Sequence, residues 1–174
     1  RMVDDVRSWP VQVARCAFTA YWPAAADLMS ILHDERYSAD IKKRVLQLRP
    51  GSERQWGKMS VDQMLWHVNE ALDVALGNIP ARPQKSPLPR FLMKFIVINL
   101  PWPKGAPTLP MFVAEGSRSF ESERDRCLRL IDEFASRRLE GDWAPSPVFG
   151  PLSGVEASKL QAKHLNHHLK QFAV

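Results

Sequence analysis

Apolar residues recur along this chain at spacings of three and four, in runs separated by stretches rich in proline and glycine. That is the period of helices that each bury one face. The first run is Ser38–Leu48, where Ile41, Val45 and Leu48 share a face before Pro50-Gly51 ends it. The second opens on Ser60-Val-Asp-Gln63, a spacing that lets two side chains satisfy backbone donors of a first turn reciprocally. It carries Met64, Leu65, Val68, Ala71, Leu72 and Ala75 as its stripe and stops at Gly77-Asn78. Arg90–Leu100 predicts a short, apolar third helix. Phe120–Arg138 predicts a fourth, behind Ser119, with Phe120, Cys127, Ile131 and Phe134 buried. Its first turn holds Glu121 and Glu123 and its last Arg137 and Arg138, the order a helix dipole favours. The fifth opens on a second capping box, Ser153 and Glu156, and meets no further Gly or Pro. Its stripe is Leu165, Leu169 and Phe172.

No Val/Ile/Thr alternation argues for a sheet, so the expected fold class is all-α. The expected architecture is a four-helix bundle with a short extra crossover helix and long Pro-rich loops. Those loops are Asn78–Pro89, Pro101–Pro110 and Gly141–Gly154. Four prolines and Gly105 keep Pro101–Pro110 out of regular structure, yet it holds Trp102. A stiff, partly apolar loop of this kind either lines a pocket mouth or packs as a connection over a bundle end.

At 174 residues the chain suffices for one domain with a real core. Its 24 Lys+Arg against 19 Asp+Glu are scattered, which reads as a solvated surface and predicts no nucleic-acid partner. Cys16 and Cys127 lie far apart, which excludes a disulfide framework and a cysteine zinc motif and suits a reducing cytoplasm. Cys127 falls on an apolar stripe and is expected to pack rather than react. No apolar run reaches the ~18 residues of a membrane span, so no membrane partner is expected. Residues 1–28 differ from the rest, with no Lys or Glu but with Trp9, Trp22 and Cys16. Asp4 and Asp5 make them a poor secretory signal, and they are expected to be a loosely packed extension ahead of a helical domain at 29–174. No glycine-rich phosphate loop, nucleophile elbow or dinucleotide fingerprint occurs.

Three of the five histidines lie in the last run. His164 and His168, at i and i+4, present two imidazoles to one point from the edge of the apolar stripe. His167 points away from them, and His33, outside any clear helix, reads as surface. Two neutral imidazoles suit Zn, Ni or Fe but need a third ligand. His67, beside the stripe of the second helix, supplies the third imidazole. A polar rim of solvated side chains is the competing reading. Three histidines would leave coordination positions open, a catalytic rather than a closed structural arrangement. Asn166 and Gln171, near the histidines, and Glu70, one turn from His67, are candidates to orient them. Lys58 and Lys104 are candidates to receive an anionic substrate group.

Together with His67 and the terminal His164-x-x-His167-His168-x-x-Gln171, four short motifs carry a family resemblance. They are Gln55-Trp-Gly-Lys-Met59, Trp102-Pro-Lys-Gly105, Phe149-Gly-Pro-Leu152 and Lys163-His-Leu-Asn-His-His168. The chain resembles the DinB-like (YfiT-like) superfamily of metal-dependent four-helix-bundle proteins, and within it a bacterial branch of unassigned function. The resemblance covers residues 36–174 and implies that His67, His164 and His168 are the metal ligands, with His167 common but not a ligand. It implies a divalent metal, Zn or Ni, and a low-molecular-weight thiol as cosubstrate, because characterised relatives are thiol-dependent transferases and an isomerase. A His-Pro is expected before Phe149-Gly150, and this chain has Ser146-Pro147 instead. The first functional expectation is therefore a metal-dependent transferase or hydrolase of small molecules, as a monomer or homodimer. The alternative is a non-catalytic bundle acting through self-association or ligand binding.

Overall fold

Each predicted run becomes a helix in the computed structural model, which describes residues 30–80 and 83–174. The elements are α1 (Glu35–Gln47), α2 (Val61–Leu76), α3 (Arg90–Asn99), α4 (Phe120–Ser136) and α5 (Gly154–Gln171), with a 3-10 turn at Pro110–Phe112. The described residues are all-helical, with a single isolated antiparallel bridge between Ser146 and Gly150. The expected loose extension, residues 1–28, lies outside the described residues.

Helix ends follow local hydrogen bonding. α1 starts a turn before Ser38 because the Asp34 side chain accepts from Tyr37 N–H at 2.8 Å. The Ser60 N–H donates to Gln63 Oε1 at 3.1 Å, and Ser153 and Glu156 form the second capping box as expected. α4 stops at Ser136, two residues short of expectation, and Arg137 becomes its C-cap. The guanidinium of Arg137 does not serve its own helix. It donates to Leu76 O, at the end of α2, at 2.7 Å and to Asp142 O at 2.5 Å. The last carbonyls of α2 lack intrahelical donors, so this bond satisfies one of them.

α1, α2, α4 and α5 share one core. Ile41, Val45, Met64, Leu65, Val68, Leu72, Cys127, Ile131, Phe134, Leu165 and Leu169 are all at most 2 % exposed. Burial pushes the Cys127 thiol up to about 12, so at neutral pH it packs as a small apolar group. α3 contributes nothing to that core and rests on α5. Lys94 pairs with Glu156 at 2.8 Å, and Lys163 Nζ donates to Val97 O at 2.6 Å and to Leu100 O. Burial lowers the Lys163 ammonium to about 8.

His33 is not a surface residue. Its Nε2–H donates to Arg137 O at 2.8 Å, which leaves Nδ1 to accept from Ser158 Oγ, also at 2.8 Å. The ring lies edge-on to Phe134 and Trp143 and ties the approach to α1 to both α4 and α5. Its partners are more than a hundred residues distant, so no local pattern announces it.

Gly154, the first residue of α5, touches backbone. A Cβ there would lie 2.1 Å from Leu139 O and 2.5 Å from Trp143 Nε1. Helix propensity alone would make Gly154→Ala stabilising by about 1 kcal/mol. The clash is with a carbonyl that cannot swing aside, so the expected outcome is a net loss of about 1–3 kcal/mol in urea unfolding.

Candidate metal centre

Sequence places His67 on the core edge of α2 and His164 and His168 on the core edge of α5, and packing of the two helices brings them together. The three rings are 3 %, 8 % and 7 % exposed. Ring centroids are 4.8 Å apart for His67–His164, 4.7 Å for His67–His168 and 4.8 Å for His164–His168. One nitrogen from each lies within 4.8 Å of the others, so the three could hold a metal ion.

Two of the rings are fixed in tautomer by their outer nitrogens. His67 Nδ1–H donates to Phe112 O at 2.9 Å, leaving Nε2 with its lone pair inward. Gln171 Nε2 donates to Trp56 O at 2.7 Å, which orients the amide so that Oε1 accepts from His168 Nδ1–H at 2.8 Å. Such outer partners are what metal-ligating histidines normally have. Facing inward, His67 Nε2 and His164 Nε2 are 2.8 Å apart, a spacing at which His164 Nε2–H donates to His67 Nε2. Two nitrogens on a tetrahedral Zn would stand roughly 3.3 Å apart. Coordination therefore asks the pair to open by about half an ångström and His164 to carry its proton on Nδ1 instead. The nitrogens all lie within 4.8 Å of one another, so the donor set fits the ion once that pair opens and the wider spacing closes toward the same value.

Burial keeps these imidazoles neutral. Desolvation, then the neighbouring histidines, hold His164 well below its ordinary value, and desolvation and His67 bring His168 down to about 3. Desolvation also lowers His67, opposed by the bond to Phe112, and lowers His167. Neutral rings are the ligating form. The unfolded chain takes up protons below about 6.5 that the folded one refuses, so the sign is fixed. Metal-free protein is expected to hold full stability above pH 6.5 and to lose it progressively as pH falls toward 3. Thermal unfolding across that range, compared with His168→Phe, checks it; a flat profile would contradict it.

The other predicted residues divide. Gln171 contacts His168, as above. Asn166 does not face the histidines: its Oδ1 accepts from Arg44 Nη1 at 2.9 Å, and Arg44 Nη2 donates to Val174 O. Glu70 is likewise committed elsewhere, 2.8 Å from Arg126 on α4. Lys104 sits 4.8 Å above the Trp56 ring, and Lys58 is exposed on the loop that carries Trp56. Two more side chains lie near the histidines, Trp56 and Trp102, the second in the loop expected to line a pocket mouth or to pack over a bundle end. Trp102 lies 5.6 Å from His164 and 5.5 Å from His167, and Trp56 lies 5.8 Å from His167. The presence of an indole in each of two short loops without regular structure was the available signal. The Phe112 carbonyl carried none, since a backbone acceptor is not encoded by residue type.

Comparison with curated proteins and with solved structures finds no match. One family model matches residues 36–174, that of a protein of unknown function, DUF1569, and the chain belongs to that family.

Proposed function

We propose that this protein is a metal-dependent enzyme acting on small molecules, with α1, α2, α4 and α5 as a DinB-like four-helix bundle and α3 as the crossover helix. The observation that carries the reading is the near-equilateral triangle of buried imidazoles, two of them anchored from behind by Phe112 O and Gln171. A buried polar rim would need no such convergence of nitrogens on one point.

His67, His164 and His168 would hold Zn or Ni, which would supply the Lewis acidity to bring a water or a small-molecule thiol to its anionic form near neutral pH. The protein's own groups have separate tasks. Phe112 O and Gln171 hold two rings in the tautomer that points a lone pair inward. Trp56 and Trp102 flank His167 beside the triad and limit access of bulk water. Lys104, which stands over the Trp56 ring, would receive an anionic group of the substrate. Thiol-dependent transfer and hydrolysis both fit this arrangement.

The test is elemental analysis of protein purified without chelator, followed by thiol-consumption and hydrolysis assays on panels of small electrophiles. The reading expects about one Zn or Ni per chain and turnover that is lost on chelation and returns with the metal. Protein that is folded, binds neither ion when offered it and shows no turnover would overturn it.

A further inference from the structure

Between Asp73 and Glu115 the chain has no acidic residue, while Arg82, Lys85, Arg90, Lys94 and Lys104 all fall inside that interval. α3 lies at its centre, and the outward face of α3 is apolar. Phe91 is 74 % exposed and Phe95, one turn on, is 57 % exposed, with Leu88, Leu92 and Leu100 also open to solvent. Side chains at i and i+4 stand side by side, so the two phenylalanines form one ridge. Isolated exposed apolar residues are ordinary, whereas a contiguous ridge with a basic surround marks a docking surface.

The charges choose the occupant. Lys85 and Arg90 are exposed beside the ridge, Lys94 is paired with Glu156, and Lys104 stands further along the same segment. A second copy of this chain packed ridge to ridge would bring like charges together, with no carboxylate from the segment to offset them. An anionic lipid surface fits both features at once: phenylalanines reach the acyl boundary while Lys and Arg meet headgroups.

We propose that α3 and its flanking loops dock this protein on the surface of an anionic bilayer. Docking is peripheral, because no helix among the described residues is long and apolar enough to cross a membrane. The lack of a spanning run, the ground for expecting no membrane partner, does not bear on an interfacial helix. α3 is linked to the neighbourhood of the histidines. Trp102 Nε1 donates to Val97 O of α3 at 2.7 Å, and the same indole lies against His164 and His167. Docking asks nothing of the triad itself, so it stands or falls apart from metal binding.

The test is flotation of the full chain with vesicles of phosphatidylcholine alone or mixed with phosphatidylglycerol, with sedimentation equilibrium in the absence of lipid. The chain is expected to be monomeric and to bind the phosphatidylglycerol vesicles, less so as salt is raised. The double variant Phe91→Ser/Phe95→Ser is expected to keep the helical circular dichroism of the parent and to bind at least about tenfold more weakly. Failure to bind the anionic vesicles would overturn the proposal. So would binding undiminished in the double variant, or a lipid-free dimer that the double variant dissociates.

Discussion

His67→Ala is expected to weaken Zn or Ni binding by at least about a hundredfold. Loss of a group that merely orients a ligand costs ten- to a hundredfold, and His67 is one of the three nitrogens themselves on the proposed reading. It is also the only one of the three on α2, so its removal leaves α5 with a bare i,i+4 pair. Folding is expected to survive. The variant gives up one hydrogen bond, to Phe112 O, and the contact with His164, about 1–2 kcal/mol in all. It also removes an imidazole whose burial disfavours its charged form, so acid stability should improve slightly. Calorimetric titration of metal into the variant, beside circular dichroism for the fold, separates the two effects. Parental affinity in a folded variant would show that the rings do not act as one site.

Arg126→Ala is expected to destabilise the fold by about 2–4 kcal/mol. The guanidinium lies 2.8 Å from Glu70, 2.5 Å from Asp73 and 3.4 Å from Glu123. Those side chains are 17 %, 10 % and 14 % exposed. Burial opposes the charge of Arg126, but its hydrogen bonds to Glu70 and Asp73 outweigh it and raise the guanidinium above its ordinary value. Without the cation, three carboxylates on α2 and α4 face one another with water partly excluded. Removing one member of such a cluster costs more than the cluster contributes, because the remaining charges stay buried. Part of the loss should return in high salt, which screens the repulsion left behind. Urea unfolding at low and high ionic strength measures both. A loss under about 1 kcal/mol would place the cluster with ordinary surface pairs.

Much of this was legible in the chain because the physics involved is local. The stripes of Ile41/Val45, Met64/Leu65/Val68 and Leu165/Leu169 give helices and their buried faces through a period of 3.6. The two capping boxes give starts at Ser60 and Ser153 to the residue. The histidines were legible as a set because i,i+4 spacing on one core edge and a third ring on another are both readable from stripes. What was not legible depends on where loops return. Arg137 leaves its own helix to reach Leu76 O, His33 bridges to Ser158 and Arg137, and Asn166 and Glu70 find arginines on other helices. Each of those polar groups has several partners within reach of its side chain, and only the tertiary packing selects one. Gln171 was reachable because it lies one turn from His168 on the same helix.

X-ray absorption at the metal edge of Zn- or Ni-loaded protein probes the ligand set directly. The account predicts three imidazole shells with nitrogen at about 2.0–2.1 Å and the remaining positions filled by oxygen. A shell containing sulfur, or one with fewer than three imidazoles, would contradict it.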